Sequence, residues 1–152
     1  MKRTLLALTA TAVLIGAGAI AQGASHPAVK ARQSHMQLYA YNLGMLGAMA
    51  KGDVAYDAEA AQTAADNLAT LATMNTYSYW APGTAAGEVD GSNALPAIWA
   101  EGSDVGAKAG ALVDAAAGLK AAAGTDLAAL QAAMGPVGGA CGACHKAYRQ
   151  SN

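Results

Sequence analysis

The chain has 152 residues, of which 54% are hydrophobic and 12% are charged, and its formal net charge is −1. This weak charge argues against nucleic acid or an anionic membrane surface as a partner. Alanine is abundant, phenylalanine is absent, and runs of β-branched or aromatic residues are missing, which together predict an all-α fold.

The N-terminal segment resembles a secretory signal peptide. A basic start, Met1–Arg3, precedes an uncharged apolar stretch, and Ala19–Ala21 fits the small-x-small cleavage rule. We predict that residues 1–21 are removed and that 22–152 form one domain in a bacterial periplasm, with no membrane segment. A retained anchor is the alternative, because the apolar stretch is marginally long enough to span a bilayer. Cleavage would leave seven basic and ten acidic residues, a net charge of −3.

Four helices are predicted from apolar residues that recur every three or four positions. A segment dense in turn formers, 81–93, separates the second helix from the third. In the last helix, Pro136 predicts a kink or a break. Mostly short connections predict an antiparallel up-down-up-down four-helix bundle. The predicted helices span 27–51, 57–79, 96–123 and 126–149. On the first, the residues predicted to share one face are Val29, Arg32/Gln33, Met36, Ala40, Leu43 and Gly47.

The most specific motif is C-x-x-C-H at Cys141–His145. It is the attachment signature of a c-type haem, in which Cys141 and Cys144 form thioethers and His145 is the proximal iron ligand. Three other uses of C-x-x-C are a thioredoxin-like redox pair, half a zinc site and a disulfide. A zinc site needs about four ligands, whereas the whole chain has two Cys and three His. A thioredoxin-like pair needs a βαβ pattern, which is not visible. We predict one covalently attached haem c.

The chain resembles the cytochrome c′ family, the class II cytochromes c, in which the haem motif lies near the C-terminus. Four segments carry the resemblance. They are Arg32–Met36 for R-Q-x-x-M/L, Lys51–Ala58 for K-G-x-x-x-Y-D-A, Pro96–Trp99 for P-E-I-W with Ala97 in place of Glu, and Cys141–Arg149 for C-x-x-C-H-x-x-[FY]-R. The resemblance implies that the four-helix bundle encloses the haem.

The resemblance also implies further haem contacts. Arg32 and Gln33 would line the haem edge near its propionates; the alternative is an exposed polar pair. Ser92 and Asn93 occupy the place of a Thr-Glu-like pair that approaches the haem in the family. Arg149 would lie on the proximal side beside the imidazole, unless it is an ordinary basic C-terminal cap.

Met36 matches the family position over the distal haem face, and two coordination states remain open. Low-spin members use a methionine from the first helix as sixth ligand, whereas high-spin members place an apolar side chain there and leave the iron five-coordinate. Met45, Met49, Met74 and Met134 are predicted to serve only in packing. His35 points about 100° away from Met36 around the helix, so we predict a surface or interface position for it.

Two functions follow from these alternatives. The first is electron transfer with soluble redox partners, and the second is binding of NO or CO for gas sensing or NO protection. An enzyme is not predicted, because nothing resembles an acid–base pair or an activated nucleophile. The resemblance also implies a homodimer through the first two helices. Tyr39, Tyr41, Gly44 and Ala48 could provide its surface; the alternative is that they complete the core of the monomer.

Overall fold

A computed structural model describes residues 26–151. The predicted signal peptide, 1–21, and its cleavage site before Gln22 lie outside the described residues. The described chain forms four α-helices: α1 is Pro27–Lys51, α2 is Ala58–Thr73, α3 is Val105–Ala122 and α4 is Leu127–Tyr148.

The four helices pack as a closed bundle. α3 has its most extensive contact with α4, α1 packs against α2, α2 packs against α3, and α1 also contacts α4. Within residues 26–151, β pairing is limited to one isolated antiparallel bridge between Ala94 and Arg149. The predicted all-α four-helix bundle is therefore confirmed.

Capping residues account for several helix boundaries. Asp57 and Asp126 each accept a hydrogen bond from a first-turn amide, that of Ala60 at 2.9 Å and that of Ala129 at 2.8 Å. Such side chains satisfy amides that have no partner inside the helix. α1 stops at Gly52, whose φ of 79° lies in the left-handed region that glycine adopts without strain.

The second helix is shorter than predicted. It ends at Thr73 rather than at Tyr79, and Met74 is extended. The side chain of Asn75 then accepts a hydrogen bond from the amide of Tyr77 at 3.1 Å. This local bond competes with the helical pattern, and only a 3₁₀ turn, Tyr77–Tyr79, follows.

The predicted third helix, 96–123, is two separate elements. Pro96–Trp99 forms one 3₁₀ turn, and α3 begins only at Val105. Between them Ala100 is extended and Gly102 has a φ of 78°, so the chain leaves helical geometry at this point.

The haem-motif helix α4 differs from expectation in two ways. It continues through Pro136 as one helix, so the predicted break is wrong, whereas the kink stays a prediction. It is also long and apolar enough, with a mean hydropathy of 1.3, to pass as a membrane span, although no later segment was expected to do so. Much of this apolar character comes from alanine and glycine. Because α4 packs along α3, we interpret it as part of the bundle.

The main core receives one fully buried leucine from each helix: Leu46, Leu68, Leu119 and Leu130. Alanines of α2 and α3 fill the space between them, which brings the helix axes close together. A second, smaller cluster contains Ala94, Ile98 and Tyr148, with Trp80, Trp99, Val105 and Cys144 packed against it.

Gly124, in the turn between α3 and α4, offers a test of this packing. A Cβ there would lie 2.6 Å from Oε1 and 3.1 Å from Cβ of Gln62. Gln62 is held in place because its amide donates to the carbonyl of Lys120 at 3.0 Å. We expect Gly124→Ala to lower the free energy of unfolding by about 1–3 kcal/mol, measured by urea denaturation of the haem-loaded protein.

Gly118→Ala is the matched control, because a Cβ at this exposed position in α3 meets nothing within 4 Å. The same substitution there should stabilise the helix by about 0.5–1 kcal/mol. Equal effects of the two variants would contradict the packing argument.

Candidate haem site

The C-terminal half of α4 faces a cavity of about 680 Å³. α1, the end of α2, the α2–α3 connection and the first half of α3 form the other walls. This volume lies in the range of small-molecule and cofactor sites. The wall is largely apolar, with Ala40, Leu43, Leu71, Ala72, Ile98, Val105 and Leu112 among its residues.

All three residues of the C-x-x-C-H motif line this cavity. Cys141, Cys144 and His145 lie in the last two turns of α4 and are half-buried. Burial raises the pKa of both thiols above the ordinary cysteine value. Burial also lowers the pKa of His145, and the positive charge of Arg149 lowers it further. The imidazole is therefore neutral at pH 7, the form that coordinates a metal.

Arg32 is the most buried charged residue of the wall, with 5% of its surface exposed. Its guanidinium donates to the carbonyl of Tyr79 at 3.2 Å, to the hydroxyl and carbonyl of Thr84 at 2.8 and 2.6 Å, and to the hydroxyl of Ser92 at 2.8 Å. It also lies 5.3 Å from the ring centre of Trp80, which is cation–π distance. Burial lowers its pKa. Arg32 thus joins α1 to the α2–α3 connection while facing the cavity.

The other predicted polar contacts divide into two groups. Gln33, Asn93 and Arg149 line the cavity. Gln33 also donates to the carbonyl of Gly91 at 2.8 Å. Ser92 is buried behind the wall, where its hydroxyl accepts from Arg32 and donates to the carbonyl of Thr84. The structure therefore brings Ser92 to the site through Arg32 and not as a lining residue.

Two methionines line the cavity. Met36, on α1, is 40% exposed, and Met74, just after α2, is 42% exposed. The expectation that Met74 only packs in the core is wrong, because the helix ends before it and the extended backbone leaves it at the cavity. Met49 is buried in the main core, and Met45 and Met134 pack against it, as predicted.

The predicted surface position of His35 is wrong: the residue is 6% exposed. Its ring lies edge-on to Tyr39 and Tyr79, with centroids 4.8 and 6.1 Å away. Nδ1 is buried without a hydrogen-bond partner among the described residues. Burial lowers the pKa of His35, and a backbone contact with Leu71 opposes this shift.

The burial of His35 shows that α1 packs along a second stripe beside the predicted one. The predicted face, with Met36, Ala40 and Leu43, forms cavity wall. The residues that α1 buries follow a neighbouring stripe: Val29, Arg32, His35, Tyr39, Asn42, Leu46 and Met49. Arg32, His35 and Tyr39 also line the cavity, so the two stripes overlap there. Tyr39, predicted to be part of a dimer surface, belongs to this buried stripe, and burial together with Cys141 raises its pKa to about 12.

Several residues of the site were not predicted from the sequence. Thr84 is buried and bonds Arg32 twice, and Trp80 and Lys108 line the cavity. Thr84 lies in the segment 81–93, which the sequence identifies only as dense in turn formers. Nothing in the sequence therefore predicted its contact with Arg32. Trp80 had a signal, since three of the four residues in Tyr77–Trp80 are aromatic in a chain with few aromatic residues.

The cavity chemistry suits a haem. Its charged lining residues, Arg32, Lys108 and Arg149, are all cationic, which suits an apolar group bearing carboxylates. Cys141, Cys144 and His145 all belong to the wall that α4 contributes. Within residues 26–151, no three side chains of His, Cys, Asp or Glu converge as a metal site would require, which disfavours a structural zinc site there.

Comparisons with known proteins agree with this chemistry. The family model described as Cytochrome C' matches residues 27–149. Cytochrome c-554 of Cereibacter sphaeroides is 45% identical over 99% of both chains, and cytochrome c' of the same organism is 42% identical over 98% of both. The solved structure of cytochrome c' from Rhodobacter Spheriodes has a TM-score of 0.79 at 42% identity, covering 82% of this chain and 96% of its own.

The bundle and the cavity define a four-helix haem protein of the c type. The chain belongs to the cytochrome c′ family.

Proposed function

We propose that this protein is a periplasmic electron carrier that holds one covalently bound haem c, with Met36 as its distal ligand. The observation that carries the proposal is the position of Met36 on the wall of the same cavity as Cys141, Cys144 and His145. Similarity to a cytochrome c-554 and to a cytochrome c-556 supports the c-type haem in this proposal. When bound, haem supplies a one-electron couple.

The chain's own residues have distinct tasks in this proposal. Cys141 and Cys144 anchor the cofactor, and His145 offers a neutral nitrogen to the metal. Arg32 offers a fixed positive charge, because its hydrogen bonds leave it no freedom to swing away. The apolar wall excludes water, which strengthens electrostatic interactions inside the cavity. No acid–base pair is assigned, and the proposal is a carrier and not an enzyme.

Covalent attachment is the first point to test. Protein matured in a host competent for cytochrome c assembly should carry the mass of one haem after acid–acetone extraction, measured by mass spectrometry. Cys141→Ser and Cys144→Ser should each remove one thioether and make the haem partly or wholly extractable. Met134→Leu, a core substitution, should retain the full adduct. A wild-type protein without the adduct would contradict the proposal.

The role of Met36 is tested by absorption spectra of the purified protein. The wild type should show low-spin bands that CO does not change, and Met36→Leu should become high-spin and bind CO, since leucine fills similar space without a sulfur donor. Met45→Leu and Met74→Leu are controls from the core edge and from the cavity wall. A low-spin spectrum retained by Met36→Leu would remove Met36 from the coordination sphere.

The second candidate function is binding of NO or CO at a five-coordinate iron. The apolar residues beside Met36 on the cavity wall, Ala40 and Leu43, favour it, because an apolar pocket admits a small diatomic molecule. A solved relative, a mutant of cytochrome c prime from Alcaligenes xylosoxidans, is a nitric oxide complex, with 37% identity and a TM-score of 0.71. A high-spin wild-type spectrum that shifts with CO would support this function over electron transfer.

We also propose that the protein is a homodimer through α1 and α2. Tyr41 is 68% exposed, and Leu38, Gly44 and Ala48 continue a stripe along α1 at helical spacing. Sedimentation should give twice the monomer mass, and Tyr41→Glu should give the monomer mass because it places a charge in the apolar contact. Tyr77→Glu, at an exposed tyrosine outside the stripe, should leave the dimer intact.

A further inference from the structure

We propose that Asp104 is a positioning residue for the proximal iron ligand and acts through the hydroxyl of Tyr148. The inference rests on the proposed role of His145. His145 lies in the last turn of α4, and Tyr148 is the final residue of that helix. Asp104 lies directly before α3, the helix that packs against α4.

The contact between the two residues is double. The Tyr148 hydroxyl donates to Oδ1 of Asp104 at 2.5 Å, and the amide of Asp104 donates to the same hydroxyl oxygen at 2.9 Å. Ser103 adds a third hydrogen bond to that oxygen at 3.2 Å. Oδ2 of Asp104 is held by Lys108 at 3.1 Å. The hydrogen bond from Tyr148, followed by Lys108, lowers the pKa of Asp104, so the carboxylate stays an acceptor at pH 7.

Asp104 makes this contact instead of capping its own helix. Asp57 and Asp126, the residues before α2 and α4, each accept a bond from a first-turn amide. Asp104 occupies the same position before α3 and makes no such bond. An N-cap hydrogen bond stabilises the helix that it begins. The Asp104 carboxylate gives up this bond and instead contacts Tyr148 of α4, which is expected if it serves the end of α4.

The last turn of a helix frays unless its end is held. Here the amide of Leu95 donates to the carbonyl of Tyr148 at 2.9 Å, and the amide of Gln150 donates to the carbonyl of Asn93 at 2.8 Å. These backbone bonds hold the main chain at the end of α4, and the contact with Asp104 holds the side chain of Tyr148. His145 precedes Tyr148 by three residues and lies on the same helical face. Its imidazole direction therefore depends on how firmly Tyr148 is held.

Four variants of the haem-loaded protein test the proposal: Tyr148→Phe, Asp104→Ala, Asp104→Asn and, as a control, Asp57→Ala. The readouts are the EPR g values of the ferric form and the hydrogen exchange of the Leu95 and Gln150 amides. Tyr148→Phe and Asp104→Ala should shift or split the g values and accelerate exchange of both amides about tenfold, since hydrogen bonds to charged groups contribute about 1.5–3 kcal/mol. Asp104→Asn keeps an acceptor oxygen, so it should change the g values and the exchange rates less than Asp104→Ala does.

Asp57→Ala removes a cap from α2, outside the cavity wall. It should lower the urea midpoint without changing the g values, which separates positioning from loss of stability. Wild-type g values in Tyr148→Phe or in Asp104→Ala would overturn the proposal, because the hydroxyl would then not be the link. Equal changes in Asp57→Ala would also overturn it. The g values of each variant are compared with those of the wild type, whatever the spin state of the wild type. A five-coordinate iron in the wild type would therefore contradict Met36 ligation, but the test of Asp104 would stand.

Discussion

The buried guanidinium of Arg32 is the interaction on which the cavity end of the bundle depends. Moving a charged group out of water costs several kcal/mol unless hydrogen bonds replace the lost hydration. Arg32 obtains them from three residues of the α2–α3 connection: Tyr79, Thr84 and Ser92. This connection has no long helix of its own, yet it supplies a whole wall of the cavity. The hydrogen bonds of Arg32 therefore hold this connection in place, whereas apolar packing holds the helices in place.

The same arrangement leaves a positive charge facing the cavity. Within residues 26–151, no carboxylate lies within ion-pair distance of Arg32, and the fall in its pKa has burial as its cause. A buried cation with hydrogen bonds but no counter-charge is most stable when an anionic group approaches it. A haem with carboxylates at its edge fits this requirement, whereas a wholly apolar ligand does not. The electrostatics thus favour the same class of cofactor as the C-x-x-C-H motif does.

The sequence was most informative where chemistry is local. The predicted bounds of the first helix, 27–51, and the predicted start of the second, 57, agree with the structure to within one residue, because helix starts and stops depend on neighbouring residues such as Pro27, Gly52 and Asp57. The extended Met74 and the split near Gly102 were missed, since helical periodicity continues through both. The burial of His35 was missed for a different reason: its ring packs against Tyr79, which lies beyond the end of α2, and a contact between separate elements leaves no pattern along α1. The Asp104–Tyr148 contact joins residues 44 positions apart, beyond any pattern along the chain.

The fold by itself does not choose between carrier and gas-binding protein. The chain is 45% identical to a cytochrome c-554 and 42% identical to a cytochrome c' from one organism, so overall similarity hardly discriminates between them. Met36 follows Arg32 by one helical turn, and Arg32 fixes the register of α1 against the cavity wall. If Met36 is the distal ligand, as proposed, a change of coordination would need only a rotation of its side chain, which has three flexible bonds, and no movement of a helix. In that proposal, one side chain on a fixed helix decides between the two functions.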